Sequence, residues 1–231
     1  MFWFDPMYLI FALPAFLLGL YAQLRVQSAY GKYSNVRNTR GISGAQAAQV
    51  LLQQAGVHGV GIEGIRGTMT DHYDPRSKTL RLSGGVGNGA SVAALGIVAH
   101  EVGHAQQDAQ GYTPLRFRSM LVPVTNLGTW AGPILFVIGL LLQSSALAQI
   151  GLIVFSVAVV FTVVTLPVEL NASSRALKLL QASNLVDSRE LKGARAVLSA
   201  AALTYVAALA QAVSQLLYYV FILGSMNRDE R

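Results

Sequence analysis

Four long apolar segments with almost no charge constrain this chain more than any other feature. They are residues 2–24, 121–143, 146–168 and 200–223, and Asp5 is the only acidic or basic residue among them. Each segment is long enough to cross the ~30 Å hydrocarbon core of a bilayer as a helix. Because unpaired backbone groups are costly in lipid, spanning segments of this kind fold as helices. The sequence therefore predicts a mainly α-helical integral membrane protein with about four transmembrane helices.

The placement of the basic residues predicts which side of the membrane each loop occupies. Of the 17 Lys and Arg residues, ten lie in residues 25–120 and five in residues 169–199, while only Arg228 and Arg231 lie elsewhere. Loops rich in Lys and Arg remain in the cytoplasm, so both segments are expected on that side. The net charge of +6 therefore indicates topology. We expect no nucleic acid partner, because the basic residues form no patch beside aromatic groups.

The more polar segments contain signals for four helices. Ser43 can cap a helix over ISGAQAAQVLLQQAG, and a second helix is predicted from Ser91 to about Gln110. After the third apolar segment a helix is expected over ELNASSRALKLLQAS. Asp187 then restarts the helix in a capping-box arrangement. The glycine-rich stretch GGVGNGAS, just before Ser91, is expected to be flexible.

The stretch GIVAHEVGHAQQ, residues 96–107, contains two histidines one helical turn apart in an HExxH motif. On a helix, His100 and His104 lie on one face, so both can direct imidazole nitrogens at one metal ion. Glu101 projects close to that face, where it can take a proton from a water bound to the metal. Zn²⁺ suits this chemistry because it lowers the pKa of bound water to ~7 and polarises a carbonyl. The alternative is that the histidines only bridge buried polar groups.

A catalytic zinc has three protein ligands, so two histidines leave the site one ligand short. The chain has no cysteine, and the candidate donors are the other histidines and nearby carboxylates: His58, His72, Asp71, Asp74, Asp108 and Glu169. Glu169 is favoured because it follows the third apolar segment directly, and a carboxylate at a membrane edge needs a partner. The two middle spans form a hairpin, which returns the chain to the side that carries His100 and His104. Alternatively, Glu169 caps a helix or pairs with Arg175.

Three separate motifs, DHYDPRSKTLRLS, AHEVGHAQQ and LPVELNASSRAL, resemble the YugP-like family of neutral zinc metallopeptidases over nearly the whole chain. The order of HExxH motif, membrane hairpin and later glutamate is similar, more loosely, to the HtpX membrane proteases. The resemblance implies a small α+β gluzincin-like zinc protease domain on the cytoplasmic side of a bacterial plasma membrane. It implies His100, His104 and Glu169 as the zinc ligands and Glu101 as the general base.

The same resemblance raises the question of what supports the ligands. Gluzincin sites often carry an acidic residue four positions after the glutamate ligand, where it supports a histidine. Ser173 stands at that position here, so Asn171 or Asp108 is the alternative for this role. Arg175 is expected to hold Glu169 in place.

Two segments upstream of the HExxH motif are candidates for substrate contacts. KTLRLSG alternates like a strand, and we expect it to be an edge strand that binds substrate as an added strand, through Thr79, Leu80, Arg81 and Leu82. The alternative is that it only supports the fold. DHYDPRS is typical of a turn. Its His72 and Tyr73 are candidates to stabilise an oxyanion, although turn structure alone could explain them.

These features divide the chain into five regions. They are an N-terminal transmembrane anchor (1–24), a cytoplasmic metallopeptidase region with the HExxH helix (25–120), a transmembrane hairpin (121–168), cytoplasmic helices with the third zinc ligand (169–199), and a C-terminal transmembrane helix and tail (200–231). The predicted function is a membrane-embedded zinc metallopeptidase acting on a peptide or membrane-protein substrate beside the lipid bilayer. The alternative is a zinc-binding membrane scaffold without proteolysis. A second copy of the chain or another membrane protein is a further candidate partner.

Overall fold

The computed structural model describes residues 6–229, with side chains up to residue 226, so Asp5, Arg231 and the Arg228 side chain lie outside the described residues. The described part is mainly helical and contains one small sheet. In chain order, its elements are α1 (Pro6–Ser34), α2 (Gly44–Gln54), β1 (Gly61–Ile65), β2 (His72–Asp74), β3 (Thr79–Ser83), α3 (Gly84–Gly87), α4 (Val92–Ala109), α5 (Thr113–Leu141), α6 (Ser145–Ala182) and α7 (Ser188–Asp229).

Four helices of the described residues, α1, α5, α6 and α7, are long and apolar enough to cross a membrane. This finding confirms the mainly helical class and the number of candidate spans. The helix predicted after residue 168 is continuous with the third span, because α6 runs on to Ala182. The helix start predicted at Asp187 is confirmed, since α7 begins at Ser188 beside this cap and then continues through the fourth apolar segment. No glycine or proline occurs in residues 168–182, so the polar stretch extends the same helix.

The chain divides into two compact units. Within the described residues, the first consists of residues 6–21, 116–167 and 204–229, and the second consists of Ala22–Leu115 and Val168–Leu203. The first unit therefore contains most of the apolar helical sequence. The second unit joins the two segments that carry most of the basic residues, although they are far apart in the chain.

In the first unit, α5 and α6 approach each other closely at a glycine, which has no side chain to separate them. A Cβ atom at Gly132 would lie 2.7 Å from the Phe155 backbone nitrogen, so no side chain fits there. The Phe136 ring stacks on the Tyr219 ring of α7, with 4.0 Å between the ring centroids. Small residues at the helix contacts, with aromatic rings filling the gaps, are typical of helix packing in lipid.

The sheet of the second unit has the strand order β1-β3-β2. β3 pairs in parallel with β1 and antiparallel with β2, so both of its hydrogen-bonding edges are occupied. The prediction that Thr79, Leu80, Arg81 and Leu82 form an edge strand for substrate is therefore wrong. Thr79, Leu80 and Leu82 are instead buried, because the central strand of the sheet packs against the helical core.

The connection between β2 and β3 is organised by Asp74. The carboxylate of Asp74 accepts hydrogen bonds from Arg76 N at 2.9 Å and Ser77 Oγ at 2.8 Å, and it pairs with Arg81 Nη1 at 2.8 Å. The hydrogen bond from Arg81 is the main reason that the pKa of Asp74 lies well below its usual range. The segment predicted to be a turn thus begins as a strand, β2, and turns only after Asp74.

The helices α2 and α4 begin at the predicted serine caps. Ser43 forms a capping box with Gln46, and Ser91 Oγ accepts a hydrogen bond from Ala94 N at 3.1 Å. α4 ends at Ala109, close to its predicted end. The glycine-rich stretch before α4, expected to be flexible, contains the short helix α3. Local capping chemistry therefore placed both principal helices of the second unit correctly.

The helix α4 packs closely against the part of α6 that belongs to the second unit. Val98, Ala99 and Val102 of α4 are completely buried. A Cβ atom at Gly103 would lie 2.6 Å from the Ala172 carbonyl oxygen of α6, which is closer than side-chain carbons approach in proteins. The absence of a side chain at Gly103 is therefore what allows the two helices to approach this closely.

We expect Gly103→Ala to destabilise the second unit by about 1–3 kcal/mol, because an added methyl group must push α4 away from α6. The measurement is thermal unfolding of the purified protein in detergent. Gly31→Ala is the matched control, since Gly31 is also helical but has no atom within 4 Å of the added carbon. This control should be neutral or stabilising by up to ~1 kcal/mol. Equal unfolding temperatures for both variants would contradict this packing argument.

Candidate metal centre

Three side chains from two distant stretches of the chain converge beside the contact between α4 and α6. His100 and His104 project from α4, Glu169 projects from α6, and their ligand atoms all lie within 4.8 Å of one another. Glu169 Oε2 lies 3.1 Å from His100 Nε2 and 3.5 Å from His104 Nε2. Only 2% of Glu169 is exposed, so this carboxylate faces the histidines rather than solvent.

Two of the three spacings among these donor atoms match those expected around a zinc ion. Ligands at ~2.0–2.1 Å in a tetrahedron are separated from each other by about 3.3 Å. The two carboxylate–imidazole distances of 3.1 and 3.5 Å bracket that value. Two imidazoles and one carboxylate also form a donor set typical of catalytic zinc, which keeps a fourth position for water. Among the described residues, no other group of His, Asp and Glu converges in this way.

Glu101 lies directly beside the histidines on α4 and is 7% exposed. Its Oε2 accepts a hydrogen bond from the backbone nitrogen of Tyr73 at 2.9 Å, so strand β2 holds one oxygen of the carboxylate in place. Burial raises the pKa of Glu101 above its usual value, although the two histidines and the Tyr73 N–H act in the opposite direction. The structure therefore presents a well-oriented carboxylate with increased basicity next to the cluster.

The two candidate oxyanion donors lie in different surroundings. The Tyr73 hydroxyl donates a hydrogen bond to Asp108 Oδ2 at 2.8 Å, and burial, followed by that contact, raises the pKa of Tyr73. His72 is exposed, and its Nδ1 donates to the Thr70 carbonyl oxygen at 2.9 Å. Tyr73 is thus joined to Glu101 and to α4, whereas the His72 ring bonds to its own loop.

Ser173 stands one helical turn after Glu169, at the position where gluzincins often have an acidic residue. Its hydroxyl oxygen lies 3.2 Å from His100 Nδ1. A hydroxyl can both donate and accept a hydrogen bond, so this contact supports the His100 ring without deciding which ring nitrogen carries the proton.

Gln107 contacts the cluster and was not recognised in the sequence. The residue is completely buried, and its Oε1 lies 2.9 Å from His104 Nδ1. Its Nε2 donates to the Val168 carbonyl oxygen and to Asn171 Oδ1, both at 2.9 Å. The available signal was an amide three residues after a candidate ligand, on the helix face that also carries His100 and His104. Amides are not zinc ligands, so a search for ligands overlooks it.

Arg175 and Asn171, both predicted to support the site, reach it through Gln107. Arg175 Nε donates to Asn171 Oδ1 at 2.7 Å. Arg175 Nη1 donates to the side chains of Gln110 at 2.6 Å and Gln106 at 3.1 Å. The guanidinium therefore joins α6 to the last turns of α4 and acts on the cluster from a distance.

The remaining sequence candidates for the third ligand lie in other contacts. His58 is exposed, and Asp71 accepts hydrogen bonds from Ser83. Asp74 pairs with Arg81, which also pairs with Glu63. Of the donors considered from the sequence, the structure brings only Glu169 to the two histidines within the described residues.

Comparison with known proteins identifies the family to which the chain belongs. Residues 8–224 match a family described as "Putative neutral zinc metallopeptidase", and the chain belongs to this family. It is 42% identical over 224 residues to the "Putative membrane protease YugP" of Bacillus subtilis (strain 168), across 97% of this chain and 99% of that protein. The family inferred from the three motifs is thereby confirmed. No solved structure matches the chain.

We expect Glu169→Gln to weaken zinc binding by more than about 100-fold, because loss of a ligand should exceed the effect of losing a supporting contact. Competition with a chelator of known affinity measures this on purified protein. Glu190→Gln is the matched control: Glu190 is another buried carboxylate of the second unit, bonded to Thr39 and Asp187 rather than to the histidines. Its zinc affinity should equal that of the parent. Unchanged affinity in Glu169→Gln would remove Glu169 from the ligand set.

Proposed function

We propose that this protein is a membrane-embedded zinc metallopeptidase of the gluzincin type, which hydrolyses peptide bonds in cytoplasmic or juxtamembrane segments of proteins. The observation that carries this proposal is the convergence of His100, His104 and Glu169 within 4.8 Å, beside the buried carboxylate of Glu101. A site with a purely structural metal has no use for that additional carboxylate.

His100, His104 and Glu169 would hold the zinc ion through two imidazole nitrogens and one carboxylate oxygen. When bound, zinc would act as a Lewis acid, which lowers the pKa of a water molecule and polarises a peptide carbonyl. Burial excludes competing bulk water, which strengthens every electrostatic interaction within the site.

Glu101 is the proposed general base. Its Oε2 is held by the Tyr73 N–H at 2.9 Å, so Oε1 is the oxygen proposed to take the proton from the attacking water. The same oxygen can then deliver the proton to the leaving amine nitrogen. Burial, which raises the pKa of Glu101, improves this group as a proton acceptor.

Tyr73 is a better candidate oxyanion donor than His72. Because His72 Nδ1 donates to the Thr70 carbonyl, Nε2 of the neutral ring is an acceptor and cannot donate to an oxyanion. The Tyr73 hydroxyl is a donor, and its present acceptor is Asp108. Binding of substrate would have to draw this hydrogen bond from Asp108 to the developing oxyanion.

A cell-membrane location with the site on the cytoplasmic side is part of the proposal. It is supported by the four apolar helices, by the name of the Bacillus relative as a membrane protease, and by the basic residues of the two segments that build the second unit.

The direct test is Glu101→Gln, which retains the shape of the side chain and removes the base. We expect cleavage of a fluorogenic peptide library in detergent to fall by about 10²–10⁴-fold, while zinc content stays the same. Glu63→Gln, at an exposed glutamate of β1, is the control and should cleave like the parent. If Glu101→Gln cleaves as fast as the parent, Glu101 is not the base. A parent that binds zinc and cleaves no peptide would favour the scaffold alternative.

The orientation can be tested separately with single cysteines, because the chain contains none. The two variants are His58→Cys and Ala146→Cys. Residue His58 lies in the second unit, residue Ala146 lies beside the turn between α5 and α6, and both are exposed. We expect a membrane-impermeant maleimide to label Ala146→Cys on intact cells and His58→Cys only after permeabilisation. The reverse pattern would place the second unit outside the cytoplasm.

A further inference from the structure

We propose that a directed chain of hydrogen bonds, from Arg175 through Asn171 and Gln107 to His104, fixes the histidine tautomer that presents Nε2 to the metal. Gln107 is a positioning residue in this arrangement, since it acts on zinc only through His104. The inference rests on the zinc site of the proposed function. It concerns how the protein prepares that site and is independent of whether peptide hydrolysis follows.

The direction of these hydrogen bonds is set at Arg175. A guanidinium group can only donate hydrogen bonds. Arg175 Nε lies 2.7 Å from Asn171 Oδ1, so this atom of Asn171 must be the amide oxygen. The orientation of the Asn171 amide is thereby fixed by chemistry, because its reversal would place an NH₂ group against a donor.

Two acceptor oxygens fix the orientation of the Gln107 amide. Its terminal nitrogen lies 2.9 Å from Asn171 Oδ1 and 2.9 Å from the Val168 carbonyl oxygen. A carbonyl oxygen can only accept, so both contacts require the NH₂ end of Gln107 on that side. Both hydrogens of this NH₂ group are then used, and Oε1 must point away from α6.

The last step determines the state of His104. Gln107 Oε1 lies 2.9 Å from His104 Nδ1, and an amide oxygen can only accept, so Nδ1 carries the hydrogen. In the neutral ring this leaves the lone pair on Nε2, the atom that lies 3.5 Å from Glu169 Oε2. Gln107 is completely buried, so an unsatisfied orientation of its amide would be costly.

The two histidines consequently differ. His100 Nδ1 meets the Ser173 hydroxyl at 3.2 Å, which accepts or donates equally well and imposes no tautomer. The neutral His104 ring is therefore held in the tautomer that leaves Nε2 free to bind a metal. Gln107 also binds the carbonyl of Val168, the residue before Glu169, so one amide group steadies both stretches that supply ligands.

Nitrogen NMR of the metal-free protein, labelled with ¹⁵N-histidine, tests the tautomer directly. The chain has four histidines, so each ring can be assigned by single substitution. At a pH high enough for its ring to be neutral, we expect His104 to carry its hydrogen on Nδ1 alone. Gln107→Met should give a mixture of tautomers. An Nε2–H form of His104 in the parent would overturn the proposal.

Zinc affinity provides the second readout. Loss of a contact that orients a ligand costs about 10–100-fold in metal affinity, and we expect this loss in Gln107→Met. Arg175→Met should lose less, because Val168 still holds the Gln107 amide. The control is Gln106→Met, on the same helix, which removes a bond to Arg175 but leaves the chain to His104 intact. It should bind zinc like the parent.

These outcomes separate the inference from the proposed function. Unchanged zinc affinity and an unchanged His104 tautomer in Gln107→Met would overturn the inference even in an active peptidase. If Gln107→Met does not fold, the tautomer of His104 in the parent still decides, because an Nε2–H form there would contradict the proposed direction of the hydrogen bonds. Absence of peptidase activity, with the Nδ1–H form of His104 present, would count against the proposed function alone.

Discussion

The contact between α4 and α6 at Gly103 and Ala172 is the constraint on which the candidate metal centre depends. His100 and Glu169 are 69 positions apart in the chain, and they meet because these two helices pack backbone to backbone. A Cβ atom at Gly103 would lie 2.6 Å from the Ala172 carbonyl oxygen. The single missing side chain within the HExxH motif therefore sets the distance between the histidines and the carboxylate.

This close contact places several polar groups inside an otherwise apolar core, where burial without partners is costly. Each has a partner in the structure. Glu101 accepts from the Tyr73 backbone, Glu169 faces the two histidines, and Gln107 uses both ends of its amide. Burial therefore raises the free energy of any arrangement in which these polar groups lack partners. The hydrogen bonds then leave one arrangement of low free energy.

The features that were predictable from the sequence are those that depend on local spacing or on chain topology. The spacing of His100 and His104 on one helix is local, and the return of Glu169 to their side followed from the hairpin of apolar segments. The central position of β3 could not be predicted, because alternation marks a strand but does not reveal its neighbours. Gln107 was missed for a similar reason, since the direction of its amide depends on Val168 and Asn171, which are distant in sequence.

All three candidate ligands project from long helices, and none lies on a loop. Side chains on packed helices keep their geometry more accurately than side chains on loops. The donor atoms are accordingly preorganised, so little conformational entropy would be lost on metal binding. In small zinc-finger domains the ion is needed for folding itself. Here the second unit has an apolar core of its own, so we expect its folding to depend less on a bound ion than the folding of a zinc finger does.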